Sequence, residues 1–120
     1  MANIRRPRQG VHSILDEMLA IRLQQLEAEN GGYEAFVAKT GIAKGTYSAI
    51  ARAKGNPTFH TIERIASSLN MSVLELLGFE PSDARRALKR NGVDYDELAA
   101  AIKQKNKAEQ RLAQKARSRK

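Results

Sequence analysis

The fold is decided by Tyr33-Glu-Ala-Phe-Val-Ala-Lys-Thr40, Gly41-Ile-Ala43, Lys44-Gly-Thr-Tyr-Ser-Ala-Ile-Ala51, Arg52-Ala-Lys-Gly-Asn-Pro57, Thr58 to Leu69 and Ser72 to Leu77. The first piece reads as a short helix over 33–40, with Phe36 and Val37 toward a core. Thr40-Gly41 is a turn, because glycine takes positive φ without a Cβ penalty. A second short helix over 44–52 buries Tyr47 and Ile50 and leaves Lys44, Ser48, Ala49 and Arg52 outward. Gly55-Asn56-Pro57 breaks it. Thr58 caps the next helix, whose buried stripe is Ile62, Ile65, Ala66 and Leu69. Ser72, with Glu75 three residues later, spells a capping box for a last short helix. Val73, Leu76 and Leu77 of that helix point inward, and Gly78 stops it. Phe59 and Tyr47 read as core residues. Two short helices joined by so tight a turn form a layout that lays the second helix in the major groove of DNA.

Outward from that stretch, residues 1–10 are polar and basic, with Pro7 and Gly10, and read as a flexible arm. Over 12–29, Val11, Ile14, Leu15, Met18, Ile21 and Leu26 fall at helical spacing, and Ser13 with Asp16 and Glu17 suits a helix start. Asn30-Gly31-Gly32 ends that helix. Beyond Gly78, Ser82-Asp83 caps a short helix to about Arg90, and Asn91-Gly92 stops it. Asp94 with Glu97 makes another capping box, for a helix from 95 to about 116. The apolar positions of that helix, Tyr95, Leu98, Ile102 and Leu112, are sparse, and Lys105 and Glu109 interrupt any heptad seam. Its Ala-, Lys- and Gln-rich composition favours helix even without tertiary packing. No strand pattern or internal repeat is present. The expected architecture is all-α: a flexible basic arm over 1–10, a five-helix domain over 11–79 and a helical basic extension over 80–120.

The chain has 120 residues and a formal charge of +8, unevenly placed. Arg5, Arg6 and Arg8 make the arm +3, residues 11–79 amount to −1, and the extension carries the rest. A near-neutral centre between basic ends fits a polyanionic partner. There is no Cys, which removes disulfides and thiolate metal sites. His12 and His60 stand alone, without a ligand partner, so no metal and no cofactor are expected. Nothing approaches the roughly 18 apolar residues of a membrane span, and the first residues lack the apolar segment of a signal peptide. The expected location is the cytoplasm, with the nucleoid. No glycine-rich phosphate loop, paired histidine or acid pair with a base nearby marks an enzyme.

The register Phe36-Val37, Gly41, Ile42, Ile50, Pro57, Ile62-Glu-Arg-Ile-Ala-Ser-Ser-Leu69 and Val73-Leu-Glu-Leu-Leu77 resembles the lambda-repressor and Cro-like (XRE) helix-turn-helix regulators. The likeness covers Tyr33–Leu77. It departs from the family pattern at Val37 (often Ala), Ala51 (often Glu) and Ala53 (often Gly). The resemblance implies a lambda-repressor-like fold and a transcriptional regulator, a repressor by type, on double-stranded DNA. It also implies a homodimer associating through Met71–Phe79, with the 82–116 helices as a possible extension. By matched position, Lys44, Gly45, Ser48 and Ala49 touch bases. Lys44 is the strongest base reader, since Lys donates to guanine O6 and N7. Ser48 discriminates weakly, and Ala49 suits a thymine methyl. Arg52 reaches a base or a phosphate, and Tyr33 sits where a helix start binds phosphate.

Thr46, Lys54 and Asn56 are further phosphate candidates, and the arm's Arg5, Arg6 and Arg8 suit a minor groove or the backbone. The 103–120 run has three open readings: non-specific DNA contact, a dimer helix, or a protein partner bound through 80–120. Two alternatives to the regulator stay open. One is an antitoxin that represses its own operon, since Gly55-Asn-Pro-Thr-Phe-His-Thr-Ile62 also resembles antidote proteins of toxin–antitoxin modules. The other is a largely non-specific architectural DNA-binding protein.

Overall fold

A computed structural model describes residues 13–118, and all their regular structure is helical. The elements are α1 (Ile14–Glu29), α2 (Tyr33–Thr40), α3 (Lys44–Ala51), α4 (Phe59–Ser68), α5 (Val73–Leu76), α6 (Pro81–Arg90) and α7 (Tyr95–Ser118). They fall into two compact units, one ending at Glu80 and one starting at Pro81.

In the first unit the ends of the helices follow local chemistry. The Ser13 hydroxyl accepts the Asp16 N–H at 3.3 Å and starts α1. Asn30 donates its side-chain amide to Leu26 O at 2.8 Å, and left-handed Gly31 and Gly32 turn the chain into α2. Gly41, at φ 72°, closes α2 with its N–H on Val37 O at 2.9 Å. The Thr58 hydroxyl accepts the Thr61 N–H at 3.1 Å. Ser72 and Glu75 form the complete capping box. Arg22 of α1 donates to Leu76 O at 2.8 Å and Glu75 O at 3.1 Å, so a cation from α1 sits on the carbonyl end of α5.

The core is Leu19, Leu23, Leu26, Phe36, Ile42, Tyr47, Ile50, Ile65, Ala66 and Leu76. Two expectations need correction. Among the residues whose spacing marked α1, Leu26 is buried and Met18 half-buried, while Ile14, Leu15 and Ile21 are 79%, 62% and 55% exposed. Val11 lies outside the described residues. Helix α1 is apolar on two sides, so spacing alone does not choose between them. The packed side is the Leu19–Leu23–Leu26 stripe, which meets Phe36 and Tyr47.

Phe59, expected in the core, is 83% exposed. It occupies the first position of α4, and side chains lean toward a helix's N-terminus. Phe59 therefore leans off the end of α4, away from Ile65 and Ala66.

In the second unit, α6 begins at Pro81, one residue before the expected Ser82-Asp83 cap. Proline's fixed φ and missing N–H suit a first helical position. Asn91 donates to Ala87 O at 3.0 Å and Gly92, at φ 86°, stops the helix. The Glu97 N–H donates to Asp94 Oδ1 at 3.1 Å and starts α7, which continues to Ser118. Arg85 sits 5.2 Å over the Tyr95 ring and pairs with Asp96 at 3.0 Å, tying α6 to the first turn of α7.

Candidate nucleic-acid interface

Helix α3 is fixed by its inner face. The Tyr47 ring packs against Phe36 at 5.5 Å, near edge-on, and against Tyr33 at 5.7 Å. Its hydroxyl donates to Glu27 Oε1 on α1. Burial, then this bond to a carboxylate, pushes the Tyr47 pKa above the ordinary phenol. Ile50 is buried one turn on. Gln24 of α1 donates its amide to Ala51 O at 3.0 Å, which pins the last turn of α3. At the other end, Ile42 is buried in the turn, and buried Thr40 donates to Phe36 O at 3.0 Å. The turn between α2 and α3 is thereby held from both sides.

With that face committed, the opposite face is offered to the outside. Lys44, Ser48 and Arg52 recur at i, i+4 and i+8 and line one stripe. Lys44, Gly45 and Arg52 are exposed, and Ser48 and Ala49 are half-buried. A Cβ on Gly45 would meet nothing within 4 Å, so the helix surface there is open to close approach. Arg52 donates Nε to Ser48 O at 3.3 Å, which lays its guanidinium back along the helix. Thr46 is exposed but lies about half a turn round α3 from this stripe.

The loop after α3 folds back onto it. The N–H groups of Lys54 and Gly55 donate to Ala49 O at 2.8 and 3.1 Å, and that of Ala53 to Ile50 O at 2.9 Å. A Cβ on Gly55 would fall 3.2 Å from Ala49 Cβ and 3.4 Å from its carbonyl carbon. Glycine is what lets the loop lie this close, and the loop in turn covers part of Ala49. Ala53 takes φ 58°, the left-handed conformation where the family often has Gly. Lys54 and Asn56 are exposed on this loop, beside the end of α3.

At the start of α2, Tyr33 divides itself between the core and the surface. Gly32 offers no side-chain cap, so the first-turn amides of α2 are of the kind that receive a phosphate. Lys44, Gly45, Ser48, Ala49, Arg52, Lys54 and Asn56 are thus assembled on α3 and its following loop. Arg5, Arg6 and Arg8 lie outside the described residues.

Two contributors carry no signal of this kind in the sequence. Glu34 of α2 stands 3.8 Å from Lys44 Nζ, with side chains 82% and 64% exposed. Such an exposed pair contributes about 0–1 kcal/mol, little enough for a DNA phosphate or base to displace it. The second contributor is Gln24, whose bond to Ala51 positions α3 from outside the motif.

A family model for the Cro/C1-type helix-turn-helix DNA-binding domain matches residues 16–82, more than half the chain. The chain belongs to the Cro/C1-type helix-turn-helix DNA-binding family. The match runs from the third residue of α1 to the second of α6, so the Cro/C1-type domain contains the whole first-unit core and α3 with its loop. Most of α6 and all of α7 lie beyond it. No curated protein and no solved structure matches the chain. Among the described residues, no helix is long and apolar enough to cross a membrane.

Proposed function

We propose that the protein is a sequence-specific transcriptional regulator, a repressor that binds double-stranded DNA as a homodimer in the cytoplasm. The observation that carries this reading is the outward Lys44–Ser48–Arg52 stripe, with Lys44 and Arg52 exposed, on a helix whose other face is fixed by Tyr47, Ile50 and Gln24. Preorganised side chains on a rigid helix are what base reading requires. Lys44 donates to guanine, Ser48 adds a weaker contact, and Arg52 reaches a base or phosphate. Tyr33, Lys54 and Asn56 flank the groove as phosphate partners, with Arg5, Arg6 and Arg8 from the arm, and Thr46 on the far side of α3 is left out. Organisation into an arm over 1–10, a reading domain over 11–79 and a basic extension over 80–120 divides the work. The near-neutral centre sets the register and the basic ends add sequence-independent affinity.

The experiment is selection of bound sequences from a random duplex pool, followed by titration against the enriched site and a shuffled one. An enriched two-fold motif with half-sites about one helical turn apart is expected. Equal affinity for both duplexes would replace the regulator with a non-specific architectural protein.

A further inference from the structure

Helix α7 runs 24 residues and buries none of them. Leu98, Ile102 and Leu112 are 53%, 42% and 66% exposed, and Arg85 of α6 holds the helix at its first turn. Positions 95, 98, 102, 105, 109, 112 and 116 alternate steps of three and four, the spacing of a coiled-coil seam. They read Tyr, Leu, Ile, Lys, Glu, Leu, Ala, with two opposite charges at the centre.

Those charges choose a partner and a direction. In a parallel pair each seam residue faces its own copy, so Lys105 meets Lys105 and Glu109 meets Glu109. In an antiparallel pair centred on residue 107, Lys105 faces Glu109 of the second copy, and Glu109 faces its Lys105. The same register sets Ile102 against Leu112 and Leu98 against Ala116. Flanking Ala99, Ala101, Ala108 and Ala113 are small enough for close approach. The acidic first turn, Asp96 and Glu97, lies alongside the basic last turn, Lys115 and Arg117, of the second copy.

Within one helix, Lys followed by Glu four residues later is the weaker orientation of an ion pair. Among the described residues, the ion pairs of this unit join Arg85 to Asp96, Arg86 to Asp83 and Lys89 to Asp94, and leave Lys105 and Glu109 out. We propose that two copies of the chain pair through α7 as an antiparallel helix pair centred on residue 107. The seam interruption at Lys105 and Glu109 is then the element that sets direction and register. Lys103, Lys107 and Arg111 stay on the outside of the pair. The proposal rests on the homodimer reading and is independent of base reading by α3.

The test uses the full chain, which has no natural cysteine. A mixture of Ile102→Cys and Leu112→Cys chains is expected to cross-link under mild oxidation, and Ile102→Cys alone is not. In sedimentation equilibrium, Glu109→Lys is expected to raise the dimer dissociation constant by about tenfold or more, because four lysines then meet at the centre. The double swap Lys105→Glu/Glu109→Lys restores the wild-type value within about threefold. These residues are exposed, so helicity by circular dichroism stays unchanged. Self-cross-linking of Ile102→Cys, an unaltered constant in Glu109→Lys, or failure of the double swap to recover would each overturn the proposal. Base preference, read on a single half-site, is scored separately: if the seam fails and preference is retained, the DNA reading stands alone.

Discussion

Ala53 holds φ 58° where the chain leaves α3, and a side chain there costs about 1 kcal/mol or more against glycine. Glycine's greater freedom in the unfolded chain offsets part of that gain. Ala53→Gly is therefore expected to stabilise the domain by roughly 0.5–1 kcal/mol in urea denaturation; a loss of stability would show that the left-handed turn is unstrained. Glu34 makes a second prediction at this scale. It pairs with Lys44 in the free protein and sets an anionic group beside the stripe proposed to meet DNA. Glu34→Gln is expected to tighten DNA binding about two- to fivefold in an anisotropy titration, with stability nearly unchanged. Weaker binding would mean that the pair orients Lys44 for the base.

At the scale of the element, α3 depends on the Tyr47–Glu27 bond to α1. Tyr47→Phe is expected to cost about 1–2 kcal/mol at neutral pH, since a buried bond to a carboxylate disappears. It also changes the response to alkali. Folded Tyr47 keeps its proton at pH values where the unfolded phenol, with pKa about 10, has given it up. Its contribution is full below that pH and declines as pH rises above it. Denaturation at pH 7 and pH 10.5 should show a smaller decline in Tyr47→Phe than in the wild type; equal declines would place the loss elsewhere. Helices α2 and α3 were legible in the sequence because Gly41 and Gly55-Asn56-Pro57 punctuate them and Phe36, Tyr47 and Ile50 mark their inner faces. The packed face of α1 was not legible, because Ile14 and Ile21 are as apolar as Leu19 and Leu23. Phe59 was misread because periodicity ignores the lean of a first-turn side chain. The outward position of Lys44 was legible from its spacing. Its partner Glu34 was not, since ten residues of chain bring the two together only when the turn closes.

For the whole molecule, the proposed function draws affinity and specificity from different places. Residues 11–79 carry a charge of −1, so in the proposed function the basic ends add to the salt-dependent contacts of Lys44, Arg52 and Lys54. Replacing Lys103, Lys107 and Arg111 together with Gln is expected to flatten the slope of log affinity against log salt by up to about 0.9 for each phosphate no longer neutralised. The drop in affinity should be equal on the selected and shuffled duplexes; an unchanged slope would remove the extension from the DNA. The proposed function gives base reading to α3, and one comparison tests it most directly. Wild-type protein and Lys44→Ala are titrated against the selected duplex and against one with its guanines replaced. A loss of about 1–3 kcal/mol confined to the selected duplex is the expected result. An equal loss on both duplexes would contradict base reading by Lys44 and reduce α3 to a backbone-binding helix.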